Sequence, residues 1–254
     1  MTARDPQLLP WLAELHRRST MSGWGFAAFD GRIESDDPPW DFDEEVRGAL
    51  RSSEHAVDIG TGGGERLLTH LAALGDEHGV ITATEGWEDN QPIARAALAP
   101  YGIDVLAYDP ELGERLPLPD GSQDLVLNRH EAVDAAEIAR VLRPGGRLLT
   151  QQVDGRDGER LREWFGGESL YDHVTVDNLT AALADAGLRI DQADDWIGAM
   201  RFRDIGTLVE YLAMIPWDVP DFEVHEHEEQ LHALATVRPI EVPQRRFRII
   251  ATRL

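Results

Sequence analysis

A repeated alternation of short apolar runs with helical patterns constrains this chain more than any other feature. Residues 55–59 (HAVDI), 80–84 (VITAT), 103–108 (IDVLAY), 124–128 (DLVLN) and 147–153 (RLLTQQV) read as strands. Their starts are spaced by roughly 20–25 residues, the beat of βα units. The stretches between them carry apolar side chains on one helical face. Leu67, Leu68, Leu71 and Leu74 run up to Gly75, and Ala135, Ile138, Ala139 and Leu142 run up to Pro144-Gly145-Gly146. Pro92 suits the first turn of the helix between them, which ends at Gly102. Parallel strands need long crossovers rather than tight turns, so this beat predicts a mostly parallel sheet with helices on both faces. Leu179, Ala182, Leu183 and Ala186, closed by Gly187, predict a further helix, followed by a strand from Leu188 and a last strand over residues 245–254.

Two segments fall outside the beat. Residues 1–50 hold a helical start, an aromatic-glycine stretch and the turn DDPPWDFDEE; residues 199–244 hold a helix with Ile205, Leu208, Val209 and Leu212 on one face and Asp204 at its N-cap. With no internal repeat and no low-complexity linker, the reading is one catalytic domain over residues 1–254. Its parts are an N-terminal cap (1–50), a cofactor-binding core (51–198), a cap insertion (199–244) and a last core strand (245–254).

Composition removes several chemistries. The chain has no Cys, and all 24 of its Lys-plus-Arg cations are Arg. Thiol nucleophiles, thiolate zinc, Schiff-base lysines and phosphate-loop lysines are therefore excluded. A formal net charge of −23 disfavours nucleic acid and anionic membrane as partners. No apolar run reaches the ~18 residues of a membrane span, and the N-terminal residues lack the pattern of a signal peptide, so a cytoplasmic protein is expected. His225, His227 and His232 lie among Glu226, Glu228 and Glu229 in a spacing that makes no helical ligand face, so the stretch reads as a solvated helix and no metal site is expected.

The strongest local signal is AVDIGTGGGE, residues 56–65. A strand runs into glycines, and a helix follows. Glycines let the backbone turn tightly and approach a ligand, and the helix start offers free N–H groups. The dinucleotide fingerprint G-x-G-x-x-G would put its last glycine at position 65, which is Glu65. The spacing here is G-x-G-x-G at Gly60, Gly62 and Gly64, with Asp58 two residues before. A pyrophosphate fits poorly beside Glu65; a cationic cofactor without phosphate does not meet that difficulty.

Over residues 53–153 the sequence resembles the class I S-adenosylmethionine-dependent methyltransferases, in particular the small-molecule type 11 group. The resemblance rests on AVDIGTGGGE, Glu85, Asp109, LPLPDGSQDLVLNRH and VLRPGGRLL. It implies a doubly wound, seven-stranded, mostly parallel Rossmann-like α/β sheet with helical N-terminal and late-insertion caps. It implies S-adenosyl-L-methionine bound by Asp58, Gly60, Thr61, Gly62, Gly64, Glu85, Gly86, Trp87, Asp109 and Asn128. Glu85 would accept from the ribose diol and Asp109 from the adenine amino group. Asn128, Arg129 and His130 fall near the methyl group. His130 is the candidate base, Asn128 accompanies it, and Arg129 would bind an acceptor carboxylate or, in the favoured reading, pair with Glu131 or a surface acid. The cap segments of such proteins often close over the acceptor, which makes Trp24, Trp40, Tyr211 and Trp217 candidate pocket liners. Pro110 departs from the pattern, because the residue after the adenine-binding Asp commonly donates an N–H and Pro has none.

The expected function is methyl transfer to O, N or C of a small-molecule acceptor by in-line displacement, with a monomer or homodimer and no nucleic-acid or membrane partner. The rivals are a nicotinamide-dependent oxidoreductase, which Glu65 disfavours, and a non-catalytic cofactor-binding protein.

Overall fold

The computed structural model describes residues 5–19 and 29–254. In chain order its elements are α1 (Leu8–Arg18), β1 (Ile33–Ser35), α2 (Phe42–Arg51), β2 (His55–Ile59), α3 (Glu65–Leu74), β3 (Val80–Glu85), α4 (Gln91–Leu98), β4 (Asp104–Ala107), β5 (Gln123–Arg129), α5 (Ala135–Val141), β6 (Leu142–Val153), α6 (Glu159–Phe165), α7 (Val176–Asp185), β7 (Leu188–Phe202), α8 (Ile205–Met214), α9 (Glu228–Leu234) and β8 (Ile240–Arg253). The chain separates into two compact units. One comprises Pro39–Val153, Val174–Asp195 and Arg246–Leu254; the other comprises the described residues up to Pro38, Asp154–His173 and Trp196–Arg245.

The first unit carries the sheet that the βα beat predicts. Its strands lie in the order β7-β8-β6-β5-β2-β3-β4. The pairs β2–β3, β2–β5, β3–β4 and β5–β6 are parallel, and β6–β8 is antiparallel. Alternate residues of each strand feed opposite faces. On one side Ala56, Leu125, Leu127, Leu149 and Ile250 pack with α2, α3 and α4 through Val46, Leu71 and Leu98. On the other, Val57, Val126, Leu148 and Ile249 pack with α5 and α7 through Ile138 and Leu183. Asp124 ties β5 to the start of β2 by accepting from the Glu54 and His55 N–H groups at 2.7 and 2.8 Å. The direction of travel along the sheet reverses between β2 and β5, and open α/β sheets bind ligands at the carboxyl ends of strands at such a reversal.

The second unit has its own core of Leu12, Phe165, Phe202, Leu208, Leu212 and Leu231. Here β1 pairs antiparallel with the end of β7, Ile33 opposite Phe202 and Ser35 opposite Met200. The described residues therefore hold eight strands where seven are expected. The additional one is three residues long and mostly exposed, too short for a period-two pattern to register. Asp204 caps α8 as expected, its Oδ1 accepting from Thr207 N–H at 2.9 Å. Among the described residues no helix is long and apolar enough to cross a membrane.

Candidate active site

The glycine loop follows β2 directly. Gly60, Gly62 and Gly64 all take left-handed backbone, with φ of 72°, 63° and 90°, a region costly for any residue with a Cβ. The loop folds back on β3: Thr61 N–H donates to Thr84 O at 2.9 Å, and Gly64 N–H to Thr61 O at 3.0 Å. Glu85, at the carboxyl end of β3, is only 3 % exposed. Its Oε2 accepts from Gly62 N–H at 2.6 Å and its Oε1 from Trp87 N–H at 2.9 Å. One carboxylate thus clasps the loop and the turn after β3. Each oxygen keeps a second lone pair for a further donor. Burial raises the Glu85 pKa despite these two bonds and the adjacent Asn90 side chain. Gly86 permits the next strand's end to come close, since a Cβ there would meet the Asp109 Cβ at 3.0 Å.

Further carboxyl groups gather on this side. Burial, with Glu85 nearby, pushes Asp58 up to about 6. Glu131, which the sequence offers only as a partner for Arg129, lies over the loop. A Cβ on Gly60 would stand 2.5 Å from Glu131 Cγ and 2.7 Å from its Oε2. Burial, together with Glu85, Asp109 and Glu111, pushes Glu131 up to about 7. Asp109 caps its own short turn, its Oδ1 accepting from Glu111 N–H at 2.9 Å. Pro110 has no N–H to offer, and Leu112 N–H is engaged with Asp109 O at 3.3 Å. The three amide positions after Asp109 are thus all closed to a ligand in this arrangement.

The end of β5 carries a different constellation. Asn128 is 1 % exposed. Its Nδ2 donates to Ala132 O at 3.0 Å, and its Oδ1 accepts from Gln152 Nε2 at 2.6 Å and Thr150 Oγ1 at 3.3 Å. Its carboxamide is committed to holding the turn. Arg129 pairs with Asp43 at 3.0 Å rather than with Glu131, and Asp43 also binds Arg66 at 2.9 Å. His130 sits in left-handed backbone at φ 60°. Its Nε2 lies 3.3 Å from Gln151 Nε2, while Gln151 Oε1 accepts from Trp40 Nε1 at 2.8 Å. An indole N–H only donates, so it fixes which end of the Gln151 amide faces it. The other end must donate to His130 Nε2, which places the imidazole proton on Nδ1. The dense surroundings and the cations Arg246, Arg129 and Arg66 hold the His130 pKa well below its ordinary value. A neutral imidazole with its Nε2 lone pair already engaged is a weak base toward a substrate at that nitrogen.

Residues 57–150, which contain the loop, Glu85 and the end of β5, match the family model described as a methyltransferase domain. The match is confined to this core. The chain is 32 % identical over 164 residues to 27-O-demethylrifamycin SV methyltransferase of Amycolatopsis mediterranei (strain S699), a match that covers 58 % of each chain. It is 36 % identical over 102 residues to 23S rRNA (guanine(748)-N(1))-methyltransferase of Streptomyces fradiae, over 39 % of this chain and 34 % of that one. The chain therefore spans less than two thirds of the length of the curated relatives it matches. A crystal structure of a protein of unknown function from Deinococcus radiodurans R1 aligns with a TM-score of 0.60 at 18 % identity, over 87 % of this chain and 90 % of that one. That likeness is one of fold.

The sheet unit brings together Asp58, Gly60, Thr61, Gly62, Gly64, Glu85, Gly86, Trp87 and Asp109 around the ends of β2, β3 and β4, and Asn128, Arg129 and His130 at the end of β5. Trp40 joins the latter group through Gln151. Tyr211 and Trp217 belong to the other unit, where the Tyr211 hydroxyl donates to Asp218 Oδ2 at 2.9 Å. Trp24 lies outside the described residues. Glu131, as a residue over the loop, and Gln151 are the side chains that sequence reasoning missed.

Proposed function

We propose that this chain transfers a methyl group from S-adenosylmethionine to O, N or C of a small-molecule acceptor. The observation that carries the reading is the buried Glu85 carboxylate, held by the Gly62 and Trp87 N–H groups with acceptor capacity to spare. A vicinal diol needs such an acceptor. The donor set also fits the cofactor's charge: Asp58, Glu85, Asp109 and Glu131 surround a loop without a cationic side chain, which suits a sulfonium and not a pyrophosphate. When bound, the cofactor supplies an electrophilic methyl group.

The chain's own residues would supply position rather than acid–base chemistry. The glycine loop and Glu85 hold the cofactor. Asn128 fixes the turn after β5, and Trp40 and His130 form a wall for the acceptor. Aligning nucleophile, methyl and leaving group can carry much of such a rate, which suits a site whose imidazole is engaged. The net charge of −23 supports a small molecule over a nucleic acid as acceptor, and a cytoplasmic monomer or homodimer is the corresponding expectation.

Thermal unfolding with ligands tests the reading. S-adenosylhomocysteine should raise the melting temperature and NAD should not; stabilisation by NAD alone would refute it. A product-detecting assay over an acceptor panel then tests turnover.

A further inference from the structure

We propose that Glu131 lets this site distinguish a cationic cofactor from its neutral product. The inference rests on the cofactor reading above and adds a residue and a selectivity to it.

Three features place the side chain. First, the glycine at position 60 leaves space that the Glu131 side chain occupies; an added Cβ would lie 2.6 Å from Glu131 Cβ and 2.5 Å from its Cγ. Second, the chain turns through left-handed backbone at His130, φ 60°, just before Glu131. Third, Glu131 Oε1 accepts from Ala132 N–H at 2.8 Å, which tethers one oxygen and leaves acceptor capacity on the other. The carboxylate is therefore built into the loop rather than swinging in solvent.

Among the described residues no ion pair holds it. The cation next to it in sequence, Arg129, is paired with Asp43. The charges that raise its pKa are those of Glu85, Asp109 and Glu111, all of its own sign. Like charges in one partly dry site resist joint ionisation, and a cation placed among them relieves that repulsion. A neutral guest of the same shape does not. The cofactor is a sulfonium before transfer and a thioether after it, so a carboxylate here weights the site toward the charged form and loosens its hold on product.

Binding calorimetry separates the parts. The ligands are S-adenosylmethionine, sinefungin (an amine in place of the methylsulfonium, hence also cationic) and S-adenosylhomocysteine. In Glu131→Gln, which keeps the Ala132 contact, affinity for the two cationic ligands should fall about tenfold, equal to ~1.4 kcal/mol, while S-adenosylhomocysteine stays within about twofold. Glu131→Asp should retain most of the preference. An equal loss for all three ligands, or an unchanged ratio, overturns the inference and leaves the cofactor reading intact. Failure of the wild-type chain to bind any of the three overturns both. If Glu131→Gln does not fold, the wild-type ratio carries the test. Preference for S-adenosylmethionine over S-adenosylhomocysteine should rise from pH 6 to pH 8 as Glu131 ionises beside Glu85, Asp109 and Glu111; a flat ratio overturns it.

Discussion

Gly60→Ala probes the loop and the residue above it at once. Two costs are separable. Gly60 holds φ at 72°, and an L-residue with a Cβ in that region costs about 1–2 kcal/mol. The added methyl would also stand 2.5 Å from Glu131 Cγ and 2.6 Å from Glu131 Cβ. Those atoms lie near the Glu131 backbone, with the carboxylate tethered to Ala132, so the side chain cannot simply swing away. Overpacking of this kind costs about 1–3 kcal/mol. The single variant should therefore lose about 2–5 kcal/mol in urea unfolding followed by circular dichroism. In the background Glu131→Gly, which removes both Cβ and Cγ, the clash is removed and the backbone cost remains. Gly60→Ala should then lose only about 1–2 kcal/mol, a coupling of about 1–3 kcal/mol between the two sites. A coupling under about 0.5 kcal/mol, as for independent sites, would refute the packing of Glu131 on Gly60.

Other consequences can be measured singly. Glu131 titrates near 7 in the folded chain against an ordinary 4.5, so the folded state keeps this proton to higher pH than the unfolded one. The stabilisation is present below pH 4.5 and is lost as pH rises through about 7. Between pH 5 and pH 8 Glu131→Gln should thus gain about 2–3 kcal/mol on the wild type, and an equal difference at both pH values would contradict this. Glu85→Ala should weaken S-adenosylhomocysteine binding by about 1–3 kcal/mol, and unchanged affinity by calorimetry would remove Glu85 from the site. Trp40→Phe deletes the donor to Gln151; nitrogen NMR of the His130 ring should show the Nδ1-protonated tautomer give way to a mixture, and an unaltered spectrum would exclude the relay. Asp204→Ala should cost about 1 kcal/mol in α8, read as a lowered urea midpoint, whereas no change would show the cap to be dispensable.

The sequence makes the core legible because its signals are local. Residues 55–59, 80–84 and 124–128 are rich in apolar and β-branched side chains, as strands covered on both faces are; the helix after the first closes at Gly75 as written, whereas α4 stops at Leu98 and a 3-10 turn over Ala99–Tyr101 carries the chain to Gly102. Glu85 is legible by its place after the second of these strands. Glu131 is not. Its position over Gly60 depends on a left-handed turn at His130, a residue type enriched at positive φ yet in that region only in a small minority of cases. Gln151 is hidden for another reason: it lies in a strand whose register with β5 sets it beside Arg129, next to His130. The eighth strand escapes because three residues contain no period. Asp43 reads as one acid among several in the first turn of α2, yet folding sets it against Arg66 and Arg129 from two other elements.

The residues after β5 give the site an internal electric polarity that the total charge conceals. The charges felt at His130 are the guanidiniums of Arg246, Arg129 and Arg66; those felt one residue later at Glu131 are the carboxylates of Glu85, Asp109 and Glu111. The two neighbouring side chains thus lie among charges of opposite sign. A molecule diffusing toward this protein meets a polyanion, but one that reaches the turn meets a dipole with a fixed direction. A guest with a positive end and a negative end would be oriented before it makes a hydrogen bond, and added salt would weaken its long-range approach far more than its alignment in the site.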